Sequence, residues 1–168
     1  MGRKYGAAAA ERKGQRKGLG KMMNDSSPLL ARCLEVKQTL LFEYLLKTPV
    51  EGFIDITQFA REAVEKSDIA DGIVTIYCPH TTAGVTINEN ADPDVMTDMI
   101  LGLNKAFPDR TEFLHAEGNS AAHLKTTATG SSVTVIIDKS RLLLGTWQSI
   151  FFCEFDGPRT RKFFVKVI

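Results

Sequence analysis

Hydrophobic periodicity along this chain begins at Leu29; the 28 residues before it carry almost no large apolar side chains and no repeat that could form a buried face. Residues 34–44 read as a β-strand, although residues 40–46 are apolar enough to leave a helix as the alternative. Asp55 then predicts a helix N-cap with Gln58 as its capping-box partner, and Phe59, Ala60, Ala63 and Val64 recur on one stripe until Asp71-Gly72 stops the run. Residues 73–78 are β-branched and aromatic, a strand signature. Residues 82–88 alternate, with Val85 and Ile87 on one face and Thr82, Gly84, Thr86 and Asn88 on the other. Asp92-Pro93 supplies the cap and first-turn proline of a second helix, which packs through Met96, Ile100, Leu103 and Phe107. Asn119 caps a short third helix ending at Gly130, with a strand as the alternative over the threonine-rich residues 126–129. Residues 133–137, 142–144, 148–155 and 161–167 follow as strands joined by short turns.

Such spacing implies an α+β fold of largely antiparallel β-sheets packed with helices in layers, the helices on one side. Residues 133–137 and 150–153 are apolar on both parities, so some strands are expected to be covered on both faces. No internal repeat marks a solenoid.

Charge divides the chain in two. Residues 1–28 hold seven Lys/Arg against Glu11 and Asp25, net +5, whereas the remaining 140 residues hold 14 basic and 18 acidic groups, net −4. The expected organisation is a basic flexible tail over 1–28 and a single domain over 29–168. The tail lacks the GxxxxGK[ST] spacing of a phosphate loop, and the acidic body it precedes argues against nucleic acid as a partner. A targeting peptide would contain serines before Ser26; the favoured reading is a solvated extension, with Met22 or Met23 as the true start. No apolar run approaches the roughly 18 residues of a membrane span. Cys33, Cys78 and Cys153 are odd in number and form no CxxC pair, which suits apolar core filling in a reducing, cytoplasmic setting.

Candidate chemistry gathers in the body. His80, His115 and His123 all lie in contexts of small and polar residues; three imidazoles without cysteine partners could form a catalytic zinc shell with an open position, or be hydrogen-bonded structural residues. Glu154 shares a strand parity with Gln148, Ile150 and Phe152, and a carboxylate among phenylalanines needs a cation, for which a metal or Arg159 is the candidate. Glu154 is the expected general base or orienting partner of a ligand, with Glu117 in reserve. Asn88, Asn90, Asn119 and Gln148 are expected to orient a ligand, and Thr81 and Thr82 to contact a phosphate. Trp147, the only tryptophan, is either core or ligand platform.

The segments His80-Thr-Thr-Ala83, Ile87-Asn-Glu-Asn-Ala-Asp-Pro93, His115-x-Glu-Gly-Asn119 with Ala122-His-Leu-Lys125, Leu144-Gly-Thr-Trp-Gln148 and Glu154-x-Asp-Gly-Pro-Arg159 together resemble the YjbQ-like family, whose label is "secondary thiamine-phosphate synthase enzyme". The likeness runs from about Leu34 to the C-terminus and leaves out the tail. It implies two sheets, a homotrimer, and a divalent metal, zinc, on His80, His115 and His123. It further implies a small-molecule substrate, phosphorylated under the family label, although the body lacks a Gly-rich phosphate loop. Its candidate phosphate contacts are Lys125, Arg141, Arg159 and Arg161 with the Thr81 and Thr82 hydroxyls. The rival expectation is a non-catalytic oligomeric module that binds a metabolite or metal.

Overall fold

The computed structural model describes residues 40–168. The expectations placed on the tail, on Cys33 and on the start of the first strand lie outside the described residues. Eight strands and three helices follow in the order β1 (Leu40–Lys47), β2 (Gly52–Asp55), α1 (Thr57–Ser67), β3 (Gly72–Tyr77), β4 (Ala83–Glu89), α2 (Pro93–Ala106), α3 (Ser120–Thr129), β5 (Ser132–Asp138), β6 (Arg141–Leu142), β7 (Gln148–Glu154) and β8 (Thr160–Val167). They form a five-stranded sheet, β1-β8-β3-β5-β6, and a three-stranded sheet, β2-β7-β4, with every pairing antiparallel.

The expected α+β architecture is present, but its helices are not on one side: α1 packs on the face of β7 that carries Ile150 and Phe152, whereas α2 and α3 cover the opposite face. Three further points concern single elements. β1 is a strand throughout, because its alternating burial puts Phe42, Tyr44 and Leu46 inward and Leu41 and Leu45 outward, which a helix over the same residues could not do. The threonine-rich end of α3 is helical. β2 is an addition: four residues, too short for periodicity to reveal, held by their register against Phe151 to Glu154.

Period two sorts β7 cleanly. Ile150 and Phe152 join the main core with Val74, Ile76, Val135, Phe163 and Val165 of the large sheet and Ala60, Ala63 and Val64 of α1. Phe151, Cys153 and Phe155 face the other way and pack with Ala122, Phe53, Met96 and Leu103. β7 is therefore covered on both faces, as expected. β5 is not: Val135 and Ile137 are buried, but Ile136 is 55% exposed on the outer face of the large sheet. Each large apolar side chain fully buried in this way contributes about 1.5–3 kcal/mol.

Helix ends follow local chemistry. At α2, Asp92 Oδ1 accepts from the Asp94 N–H at 2.9 Å and Pro93 occupies the first turn. At α1, however, the boundary residue is Ile56, not Asp55; Asp55 Oδ1 instead accepts from the Thr57 N–H at 2.8 Å, so the capping box with Gln58 does not form. α2 buries no residue completely, and Met96, Ile100, Leu103 and Phe107 are half-covered.

One polar contact crosses the core. Glu154 on β7 is fully buried and takes five hydrogen bonds: from Arg161 Nε at 2.7 Å and Nη2 at 2.6 Å, from Thr48 Oγ1 at 2.7 Å, and from the N–H groups of Phe155 and Asp156 at 3.1 and 2.9 Å. Burial works to raise the Glu154 pKa, but the bonds from Arg161, Thr48 and the Asp156 N–H outweigh it and hold the carboxyl below its ordinary range. The stabilisation is accordingly complete above the unfolded carboxyl value of 4.5 and is lost as pH falls through the lower folded value. Replacing Glu154 with Gln leaves Arg161 charged and uncompensated in the core, and urea unfolding at pH 7 is expected to show a loss of about 3–5 kcal/mol. A loss under about 1 kcal/mol would mean that water reaches the pair.

Candidate functional site

The chain leaves β3 through Cys78 and Pro79, and Pro79 has no N–H with which to continue the ladder to β8. The His80 ring takes over: its Nε2 lies 3.1 Å from both the N–H and the carbonyl oxygen of Lys162. Burial lowers the His80 pKa and the nearby Arg161 charge lowers it further, so the ring is neutral at pH 7. Two residues on, Thr82 is buried and its Oγ1 accepts from Arg161 Nη2 at 2.9 Å. Thr82 is thereby part of the scaffold, whereas Thr81 is exposed beside His80.

His123 sits on the second turn of α3 and His115 in the loop before it. Their rings meet edge to face, centroids 5.2 Å apart, and Glu117 Oε2 lies 3.9 Å from His115 Nε2. His123 borders two clefts. One, of about 380 Å³, is lined by Phe113, His115, Ser120 and Leu124. The other, of about 410 Å³, is lined by His80, Thr81, Thr126, Thr127 and Ser131, with Gly130 at its edge. The three histidines thus line two neighbouring clefts that share His123, but among the described residues no group of three His, Cys, Asp or Glu side chains is arranged to hold a metal ion. The expected three-histidine shell does not close within the described chain, because His80 is tied to the Lys162 backbone while His115 and His123 face each other. His115 and His123, with Glu117 beside His115, are the donors that the clefts bring together.

α3 is fixed from both ends. Lys125 Nζ donates to Glu51 Oε1 at 2.6 Å and to Asn104 Oδ1, and Asn104 Nδ2 donates to Glu51 Oε2 at 2.8 Å, closing a triad between α3, α2 and the approach to β2 in which Lys125 is buried and Asn104 exposed. At the other end, the Gly130 carbonyl accepts from the Val85 N–H at 3.0 Å. That approach needs Gly84, where a Cβ would lie 2.5 Å from the Gly130 oxygen.

The remaining expectations separate into two groups, and register shows why. Ala83 pairs with Glu154 at one end of β4, while Glu89 pairs with Gln148 at the other, six residues or roughly 20 Å away. Asn88, Asn90, Trp147 and Gln148 therefore lie at the end far from Glu154, and none lines the histidine clefts. Asn88 bonds the Met99 sulfur and the Glu89 N–H, Asn90 bonds Asp55 and Ser149, and Gln148 Oε1 accepts from the Gly145 N–H. Trp147 is largely exposed. Near the histidines, Asn119 Nδ2 donates to Asp156 Oδ2 at 3.0 Å, and Arg159 pairs with the same carboxylate at 2.8 Å. Burial tends to raise the Asp156 pKa; the bonds from Asn119 and Arg159 reverse this and lower it. The cation that satisfies Glu154 is Arg161, two residues beyond the expected Arg159. With all its lone pairs engaged, Glu154 is an anchor and not a base.

A family model described as UPF0047 protein YjbQ-like matches residues 43–168. The chain belongs to the UPF0047 YjbQ-like family. It is 53% identical over 130 residues to a UPF0047 protein of Methanocaldococcus jannaschii, covering 77% of this chain and 94% of that one, and 50% identical over 122 residues to YugU of Bacillus subtilis, covering 72% and 92%. Its fold matches a crystal structure of an uncharacterised conserved YjbQ/UPF0047 protein from Clostridium acetobutylicum with a TM-score of 0.74 at 55% identity, over 76% of this chain and 99% of that one. A YbjQ-like protein of unknown function from Sulfolobus solfataricus gives the same TM-score at 29% identity, over 77% and 96%. The YjbQ-like match covers every histidine and both clefts.

Sequence reasoning overlooked Phe113, Ser120, Leu124, Thr126, Thr127 and Ser131 as cleft-lining residues. Thr126 carries the clearest signal: it is buried and its Oγ1 has no hydrogen-bond partner among the described residues. Replacing Thr126 with Val removes an unsatisfied hydroxyl without changing shape, and is expected to leave thermal stability unchanged or to raise it by about 1 kcal/mol. A clear drop in melting temperature would reveal a hidden partner for the hydroxyl.

Proposed function

We propose that this chain binds and acts on a small molecule in the paired clefts that His123 divides, with a divalent metal, zinc by its donor chemistry, on His115 and His123. The observation that carries this reading is the edge-to-face approach of the two imidazoles at 5.2 Å on the wall they share. Zinc favours nitrogen donors and keeps positions open in catalytic sites, and Glu117 offers a carboxylate beside His115. A metal so held would supply Lewis acidity and would lower the pKa of bound water. The chain's own residues supply the rest: Thr81, Thr127 and Ser131 offer exposed hydroxyls to the substrate, neutral His80 offers its second ring nitrogen, and Phe113 and Leu124 give one cleft an apolar wall. A phosphorylated substrate, as the family resemblance implies, would find these hydroxyls in place of a glycine-rich loop.

Metal analysis of purified protein is the direct test. One zinc per chain is expected, lost in His115→Ala and His123→Ala and retained in His80→Ala. Protein that binds no divalent ion, or that keeps it in both alanine variants, would overturn the metal.

A non-catalytic binding module is the second reading, favoured by the commitment of Glu154 to Arg161, which removes the expected base. Turnover by metal-loaded protein of any ligand found by thermal shift decides between the two, because binding alone raises stability by mass action.

A homotrimer fits the same reading. The outer face of the large sheet exposes Leu41, Leu45, Ile73, Tyr77 and Ile136, and exposed apolar groups of this kind mark candidate interfaces. The two buried free thiols, Cys78 and Cys153, suit a reducing cytoplasm; burial pushes the Cys78 thiol up to about 11. No helix among the described residues is long and apolar enough to cross a membrane. Sedimentation at micromolar concentration is expected to give a trimer, and a monomer would refute it.

A further inference from the structure

We infer that the pocket between α1 and the β5–β6 hairpin is a second ligand site, separate from the histidine clefts, for a small phosphate monoester. The pocket has a volume of about 260 Å³ and is lined by Arg61, Val64 and Glu65 of α1 and by Ser140, Arg141 and Leu142 of the hairpin. Val64 is buried in the main core and Leu142 packs against it, so the pocket has an apolar, well-supported floor.

Two observations point to an anion. The first is charge without a partner. Arg159 and Arg161 each pair with a carboxylate, but the guanidinium groups of Arg61 and Arg141 have no ion pair among the described residues although they border one small cavity. Like charges brought together repel, and an oxyanion between two guanidinium forks reverses that cost with charge-assisted hydrogen bonds.

The second is the turn that presents Arg141. Asp138 pairs with Arg141, so the loop is only Lys139-Ser140, and both residues adopt left-handed backbone, with φ of 49° and 60°. Two-residue hairpin loops of this kind normally use Asn-Gly or Asp-Gly, and two side-chain-bearing residues there store strain. The fold holds the strain with two outside bonds: the Ser140 N–H donates to the Ala70 carbonyl at 2.8 Å, and the Lys139 N–H to Asp71 Oδ1 at 3.4 Å. The hairpin is thereby pinned to the α1–β3 connection, and the backbone that carries Arg141 to the pocket lined by Arg61 needs no ordering on binding.

Glu65 narrows the ligand class. Its carboxylate repels a bare anion but accepts a hydrogen bond from a hydroxyl or amine, so the complementary molecule has a phosphate for the two arginines, a short organic body over Val64 and Leu142, and a hydroxyl or amine for Glu65. Glycerol 3-phosphate has this arrangement and serves as the probe.

Equilibrium dialysis of the full chain with glycerol 3-phosphate, inorganic phosphate and glycerol tests the assignment. Saturable binding of one glycerol 3-phosphate per chain at this pocket is expected, weakened about tenfold or more in Arg61→Gln and in Arg141→Gln and partly restored in Arg141→Lys, which returns the charge without the fork. His123→Ala is expected to bind the probe as the unaltered chain does, which separates this pocket from the histidine clefts. Both arginines are exposed, so the variants are expected to keep their melting temperature without ligand. No binding up to about 10 mM, unchanged affinity in both arginine variants, or loss in His123→Ala would overturn the site. Equal affinity for inorganic phosphate would overturn the monoester assignment.

Discussion

The buried pair of Glu154 and Arg161 is the contact on which the arrangement of the two sheets depends. Glu154 belongs to the small sheet and Arg161 to the large one, and each charge would be expensive to bury alone. The protein meets that cost by saturating the carboxylate: two guanidinium nitrogens, one threonine hydroxyl and two backbone N–H groups converge on it. Apolar residues of similar volume could stabilise the core as well, but they would not fix five partners in direction. The partners come from the segment after β1, from the turn after β7 and from β8, so the pair sets where these three pieces of chain cross.

The same crossing places the first histidine. Arg161 and Lys162 are successive residues of β8. Arg161 points into the core and bonds Thr82, while the Lys162 backbone receives the His80 ring at the point where Pro79 ends the β3 ladder. A charge pair that organises the core thus also positions a neutral imidazole at the rim of a cleft. Its closeness to Arg161, together with burial, keeps that imidazole unprotonated. Scaffold and candidate site are continuous here, and a change in the pair would reach His80 through one strand.

How much of this was legible in the sequence depends on the range of the signal. α2 was announced by Asp92-Pro93, because capping is local chemistry; Asn119 and Gly130 do bound α3, but the Asn119 side chain makes no cap bond and reaches Asp156 instead. β7 was recognisable as a doubly covered strand from its unbroken apolar run. Pairings across the chain were not legible. Glu154 visibly needed a cation, but Arg159 and Arg161 share strand parity and so are not separated by alternation; β8 begins only at Thr160, which leaves Arg159 in the turn with Asp156 and carries Arg161 to Glu154. Asn88, Asn90, Trp147 and Gln148 lie in polar segments like the histidines, yet antiparallel pairing carries them to the opposite end of the small sheet. Composition brings residues onto a candidate list, whereas topology decides which of them meet.

The two imidazoles of the candidate centre are supported very differently, and this bears on how the site could work. His123 rides on α3, which is locked by the Lys125–Glu51–Asn104 triad at one turn and by the Gly84–Gly130 approach at its end. His115 lies in the connection between α2 and α3, where the local backbone bonds are those of Phe113 to Arg110 and of Gly118 to His115 itself. Beside it, Leu114 is 98% exposed, a large apolar side chain with nothing over it. Any adjustment of the pair toward a metal or substrate therefore has to come from the His115 side, carrying Glu117 with it, while His123 and the hydroxyl-lined cleft behind it stay fixed. On the proposed reading, His123 would be the fixed member of the pair and His115 the adaptable one, so the rigid half would set what the site can accept.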